Sequence, residues 1–326
     1  DNLIEGKRFH EVSEVLKSCR VWVATVQSCN AWISDLLRVV NIDELVIDEA
    51  SQIMENTILG IIARIGKTIL IGDQNQLPPI TRQSGEGFSF THEQLSGLCY
   101  DSYGQSLMER LDRVCKAKGW LDSTTMLHQH YRMHDEIADL IQPYYNGRLI
   151  SMQARQKEPL PVSGNPLLDS RLVWIEFPPS RFAWYDPLQV DCVLKLIRLL
   201  TDNGSLSDPA SELGIVAPFR AMIHALRKEL PEALKNLTID TVERFQGSER
   251  RNIIITLPLH SAEVLRNVEA LSADGRVDRK LNVAISRAQE RLFVLGCPAI
   301  CANSTHYKFL MDRIHASGRV FQYTYF

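Results

Sequence analysis

DELVIDEASQ, residues 43–52, carries the decision about fold. Leu45, Val46 and Ile47 are apolar without alternation, as in a strand of a parallel sheet covered on both faces. The run stops at two adjacent acids, Asp48 and Glu49. Beyond them Ile53, Met54, Ile58, Ile61, Ile62 and Ile65 recur at the spacing of one helical face. Strand, acidic tip and helix together make an α/β unit. The same grammar recurs along the chain. VWVAT (from Val21), KTILIG (from Lys67), STTML (from Ser123), RLVWIEF (from Arg171), LGIVA (from Leu213), LTIDTV (from Leu237), NIIITL (from Asn252) and RLFVLG (from Arg291) all read as buried strands. Ile137, Leu140 and Ile141, stopped by Pro143, read as one helix, and Val193, Leu194, Ile197 and Leu200 as another. The alternation predicts an α/β fold with parallel sheets and ligand sites at the carboxyl ends of strands.

At roughly 150 residues per domain, 326 residues make two domains. The boundary is expected near Lys118, giving domains of 1–118 and 119–326. A stretch rich in Gly, Ser and Gln, from Thr81 to Gly104, reads as an insertion or connecting segment. Residues 151–170 form a second loop-rich stretch, and no internal repeat is present. With 45% hydrophobic and 23% charged residues, both domains can bury ordinary cores. A net charge of −3 excludes a wholly basic surface but leaves room for a local basic groove. Seven cysteines without a CxxC pair predict buried thiols in a reducing, intracellular compartment, cytoplasm or nucleus. No apolar run reaches the ~18 residues of a membrane span, and DNLIEGKRFH is no signal peptide, so no membrane partner is expected. The chain opens on Asp1 instead of Met, which suggests a piece of something longer.

The polar residues at element ends carry the chemistry. At a strand tip, Asp48 suits a Mg²⁺ ion and Glu49 suits orienting a water for phosphoryl transfer. The same two acids would also suit a solvated helix N-terminus. GDQNQLPPI (Gly72–Ile80) is a stiff loop presenting Gln76, whose amide can donate to a phosphate oxygen without adding charge. A plain proline-terminated turn would look alike. QHYRMHDEI (from Gln129) places Arg132 just past a strand, and TVERFQGSE (from Thr241) and NVAISRA (from Asn282) place further polar and basic residues at element ends. An arginine aimed at a transferring phosphoryl group stabilises its charge. His128, His130 and His134, and the pair Cys297 and Cys301, do not make the closed four-ligand set of a zinc site.

In order and spacing these segments resemble the motifs of superfamily 1 helicases, in the 5′-to-3′ branch that contains senataxin and the nonsense-mediated-decay helicase. VIDEASQ resembles motif II, GDQNQLPP motif III, HYRMH motif IV, TVERFQGSE motif V and NVAISRA motif VI, over about Val21 to Gly296. The resemblance implies two RecA-like domains, the first incomplete at its N-terminus, and ATP hydrolysis in the cleft between them. Asp48 would hold Mg²⁺, Glu49 would be the catalytic base and Gln76 would sense the γ-phosphate. Arg132 and Arg287 would contact that phosphate, with Gly247 nearby and Glu249 approaching the ribose. Thr25, Pro78, Thr241 and Gln246 would lie along single-stranded RNA or DNA. The chain departs from the family at Glu243, Ser286, Gln289 and Met222. It also lacks GxxxxGK[ST]. Its closest string, Gly60 to Gly66-Lys67-Thr68, has five residues between the glycines and runs into a strand instead of a helix. The family's order puts that loop upstream of Val21, so this stretch alone is expected to hydrolyse ATP poorly. Two functions remain in view: an ATP-dependent 5′-to-3′ helicase or translocase, and a degenerate motor kept as a nucleic-acid-binding or scaffold module.

Overall fold

The computed structural model describes residues 9–80, 97–100, 104–182 and 184–325. The chain divides into two compact units. The first takes residues 1–74 and 78–125, the second 75–77 and 126–326. Most of the Gly-, Ser- and Gln-rich stretch 81–104 lies outside the described residues.

In the first unit, β1 (Glu44–Ile47) and β2 (Lys67–Leu70) pair in parallel, with Glu44 opposite Lys67 and their side chains bridged at 2.8 Å. The helix Val26–Leu36 starts at Thr25, whose hydroxyl accepts the Ser28 N–H at 3.2 Å. Its Ile33 and Leu36 pack with Ile61 and Ile65. Ile47, Ala50, Ile58 and Leu107 form a second small core. Helix Leu107–Lys118 runs from its Ser106 cap to Gly119, which takes the left-handed conformation (φ 69°) that ends a helix without a Cβ clash. From this helix Arg110 makes two hydrogen bonds of 2.7 Å to the buried carboxylate of Glu55. Removing one partner of such a buried pair costs about 3–5 kcal/mol, because the other charge stays behind.

VWVAT does not form the expected strand. Residues 21–25 are irregular and open, with Val21 76% and Val23 93% exposed, and no strand pairs with them among the described residues. An apolar run without a neighbouring strand has no ladder for its backbone groups. STTML is irregular too: a 3-10 turn ends at Ser123, and the short β3 (Gln129–His130) follows, paired with β4 (Ile150–Ser151).

The second unit is built on a six-stranded, all-parallel sheet. Its strands are β5 (Leu172–Glu176), β6 (Leu213–Val216), β7 (Thr238–Asp240), β8 (Arg250–Thr256), β9 (Ala288–Gly296) and β10 (Arg319–Gln322), in the order β10-β5-β9-β8-β6-β7. The α/β expectation holds here, and the period of two explains the continuous apolar runs. Leu172, Trp174, Ile253, Ile255, Leu292 and Val294 enter the core on one face, with residues of helices Asp135–Ile141, Arg279–Ser286 and Thr305–Ser317. Val173, Ile175, Ile254, Phe293 and Leu295 enter the other, with helices Pro187–Asp202 and Arg220–Glu229. β10 had no counterpart in the sequence reading, since Arg319 and Gln322 leave it only two apolar residues.

All seven cysteines are free. Cys115, Cys192, Cys297 and Cys301 are buried as expected, whereas Cys19 is exposed and Cys29 and Cys99 are half-buried. Burial pushes the Cys192 and Cys301 thiols up to about 12. Among the described residues no helix is long and apolar enough to cross a membrane.

Candidate active site

In the first unit the acids stand where β1 ends. Glu49 takes a left-handed conformation (φ 52°, ψ 35°), which is sterically uphill for a residue with a side chain and marks a site held in place by its surroundings. Two local bonds do the holding. Asp48 Oδ1 accepts the Glu49 N–H at 2.9 Å, and Gln52 Nε2 donates to Glu49 Oε2 at 2.5 Å. Both carboxyl groups are exposed. The loop after β2 is locked to this turn. Asp73 N donates to Ser51 Oγ at 3.2 Å, and Gly72 sits so close that a Cβ there would lie 2.8 Å from Ser51 N and 2.7 Å from Met108 Sδ. Glycine at position 72 is therefore a packing requirement.

Residues 75–77 leave the first unit and join the second. Asn75 donates through Nδ2 to Tyr144 O and accepts through its carbonyl from Asn282 Nδ2, both at 2.8 Å. Leu77 is buried in the core that includes Met133 and Ile137. Gln76 is half-buried between these two anchors, and Pro78 is half-buried after them.

The second unit gathers three of the predicted segments. Arg132 Nε donates to Glu249 Oε2, and Gln289 Nε2 donates to Glu249 Oε1 at 2.7 Å. Arg132 Nη1 also reaches Ser286 O at 3.4 Å. Glu249 and Gln289 lie at the starts of β8 and β9, not at carboxyl strand ends as expected for a ligand site, whereas Arg132 follows the short β3. Burial alone would raise the Glu249 pKa. The hydrogen bond and charge of Arg132, the Gln289 amide and the Arg287 charge outweigh it and hold the carboxyl below its usual range. Glu249, expected at a ribose, is thus engaged by an arginine and an amide.

Arg287 is only 2% exposed. Its Nε donates to Val283 O (3.2 Å), Nη1 to Ser248 O (3.2 Å) and Nη2 to Ser286 Oγ (3.1 Å). In this conformation it ties the end of helix Arg279–Ser286 to the loop before β8. Thr241 follows β7 and caps the short helix Val242–Phe245. Gln246 ends that helix with Nε2 enclosed and without a hydrogen-bond partner, and Gly247 follows at φ 78°. His130 and His134 flank Arg132, and burial lowers both their pKa values. Gln289 and Asn282 had been assigned no role from the sequence. An amide in a motif gives no sign of which distant group it will meet.

Residues 103–299 match a family profile described as an AAA domain, and residues 1–84 match a second of the same description. Proteins similar to this chain include the probable helicase DDB_G0274399 of Dictyostelium discoideum (30% identical, 78% of this chain and 24% of that protein). Others are the DNA replication ATP-dependent helicase/nuclease DNA2 of Gallus gallus (27%, 78% and 23%) and the helicase SEN1 of Saccharomyces cerevisiae (26%, 84% and 12%). The chain belongs to the AAA-domain superfamily 1 helicases of the senataxin-like branch. Of each of these helicases it spans a quarter of the length or less. Among the described residues of this helicase chain no three His, Cys, Asp or Glu side chains come together as a metal site.

Proposed function

We propose that this chain is the ATP-hydrolysing motor segment of a helicase or translocase that moves 5′-to-3′ on single-stranded RNA or DNA. The observation that carries the reading is the convergence of Arg132, Glu249 and Gln289, three residues from separate sequence segments, in one hydrogen-bonded group. Glu249 holds Arg132 by Nε and Gln289 supports Glu249 from the other oxygen. Arg132 Nη2 has no protein partner among the described residues, so it is the end of the guanidinium available to a phosphoryl oxygen.

The residues of the first unit fit the nucleotide's metal. Asp48 would hold Mg²⁺, and the ion with its ATP supplies an electrophilic phosphorus and charge neutralisation. Glu49, fixed by Gln52, would accept a proton from the attacking water. Gln76 would donate its amide to the γ-phosphate from a loop anchored on both sides. Arg287, with its nitrogens spent on the protein, acts in this conformation by positioning Ser248 and Glu249 and by its charge. Thr25, Pro78, Thr241, Gln246 and Gly247 are the further positions proposed along the nucleotide and the strand.

The second reading is a scaffold without turnover. ATP hydrolysis by the full-length protein, alone and with single-stranded RNA or DNA, separates the two. Strong stimulation by one polymer supports the motor and names its track. No hydrolysis with any polymer supports the scaffold.

A further inference from the structure

The carboxyl edge of the six-stranded sheet carries an aromatic group that the nucleotide chemistry does not use. The loop between β5 and helix Pro187–Asp202 presents Phe182 and Trp184, both exposed, with Trp184 at 46%. Trp184 packs edge-on against Phe219, which follows β6 (centroids 5.0 Å, 76°), and against His260, which follows β8 (6.3 Å, 90°). Phe182 lies 5.0 Å from Tyr185. Three parallel strands thus deliver rings to one place. Thr241 stands on the same edge, since Asp240 before it pairs with Val216 and accepts the Ala217 N–H at 3.1 Å.

The loop is built to hold these rings. Ser180 N donates to Leu259 O at 2.8 Å, and Ser180 Oγ bonds to the carbonyls of Phe182 and Tyr185 at 3.1 and 3.0 Å. Trp184 itself has a φ of 72°, a conformation that costs a tryptophan energy and that a mere covering residue has no need of. Arg181 and Arg220 are exposed next to Phe182 and Phe219 and can meet phosphates. Rings plus flanking guanidinium groups are the chemistry that binds single strands without reading their sequence.

We infer that Trp184, supported by Phe219 and His260, is a stacking platform for a base of the single strand. It lies at the opposite strand ends from the Arg132–Glu249 group, about 20 Å away along a seven-residue strand. The inference rests on the motor reading and adds to it a named contact to the track.

The test is the affinity of the full-length protein for a labelled single-stranded oligonucleotide, by fluorescence anisotropy, for the wild type and for Trp184→Gly and Trp184→Phe. Glycine removes the ring and suits the positive φ, so this variant keeps its fold and its thermal midpoint. Affinity is expected to fall about five- to a hundredfold in Trp184→Gly and to stay near wild type in Trp184→Phe. A strand carrying abasic sites throughout should not distinguish wild type from Trp184→Gly. Equal binding of the ordinary oligonucleotide by wild type and Trp184→Gly overturns the platform and leaves the motor reading standing. A wild type that binds no single strand overturns both.

Discussion

Arg132 Nε donates to a carboxylate oxygen of Glu249, 117 residues further along the chain. The pair is half-exposed, so as an exposed ion pair it does little for stability. Its meaning is geometric: the carboxylate fixes one edge of a planar guanidinium and leaves another edge for a ligand. Arg132→Ala is expected to lower nucleic-acid-stimulated ATP hydrolysis by about 10³-fold or more with little change in thermal midpoint. Arg132→Lys should fall nearly as far, because an ammonium group cannot serve both the carboxylate and a phosphoryl oxygen in the fork geometry. Steady-state hydrolysis at saturating ATP and polymer checks this, and a rate within a few-fold of wild type would remove Arg132 from the chemistry.

Glu49→Gln keeps the hydrogen-bonding shape of the side chain but cannot accept a proton from water. Hydrolysis should be abolished while binding of a fluorescent ATP analogue persists. Turnover at the wild-type rate would show that the base lies elsewhere.

Gly72→Ala should destabilise the first unit. The added methyl would meet the Ser51 backbone nitrogen and the Met108 sulfur inside contact distance. The sulfur can swing away, but the backbone can yield only by shifting the turn that holds Glu49. A cost of about 1–3 kcal/mol in urea unfolding is expected, together with slower hydrolysis.

Acid should weaken the second unit through its histidines. His134 Nδ1 accepts the Glu136 N–H at the start of a helix, and Nε2 meets Glu158 O, an arrangement that wants neutral imidazole. Burial lowers the folded-state pKa, with Arg171 adding to the shift and Glu136, the Glu158 carbonyl and Asp135 opposing it. The unfolded chain therefore binds the proton more readily. The stabilisation is present above the unfolded value near 6.5 and is lost as pH falls from there through the folded pKa. His134→Asn keeps a capping oxygen and should flatten the dependence of unfolding free energy on pH in this window. His130, shifted in the same direction, supplies the remaining slope. An unchanged slope in the variant would mean that His134 does not titrate on unfolding.

The sequence announces the strands of the second unit because burial on both faces leaves an uninterrupted apolar signature, as Leu172 to Ile175 and Ile253 to Ile255 illustrate. The same signature misleads at VWVAT, because apolarity makes a strand only where another strand offers its edge. β10 escapes notice because it borders the sheet with just Val320 and Phe321 as apolar members. For the site, the segments were readable and the pairings were not. Nothing local to Gln289 points to Glu249, 40 positions earlier. Arg287 shows the limit most clearly. An arginine in a polar motif reads as a group offered to a ligand, yet its burial depends on carbonyls supplied by Val283 and Ser248, which become neighbours only in the folded chain.

Residues 75–77 give the polypeptide an unusual itinerary. It visits the second unit for three residues, returns to the first, and enters the second for good at Met126. A single cut near Thr125 therefore leaves residues 75–77 of the second unit on the fragment that carries the first. Nor is 126–326 a cassette that can be lifted out whole. Expressed by itself it would lack Leu77 from the core around Met133 and Ile137, and Asn282 would lose the Asn75 carbonyl. The boundary a protein engineer would draw at one point in the sequence has to be drawn at three.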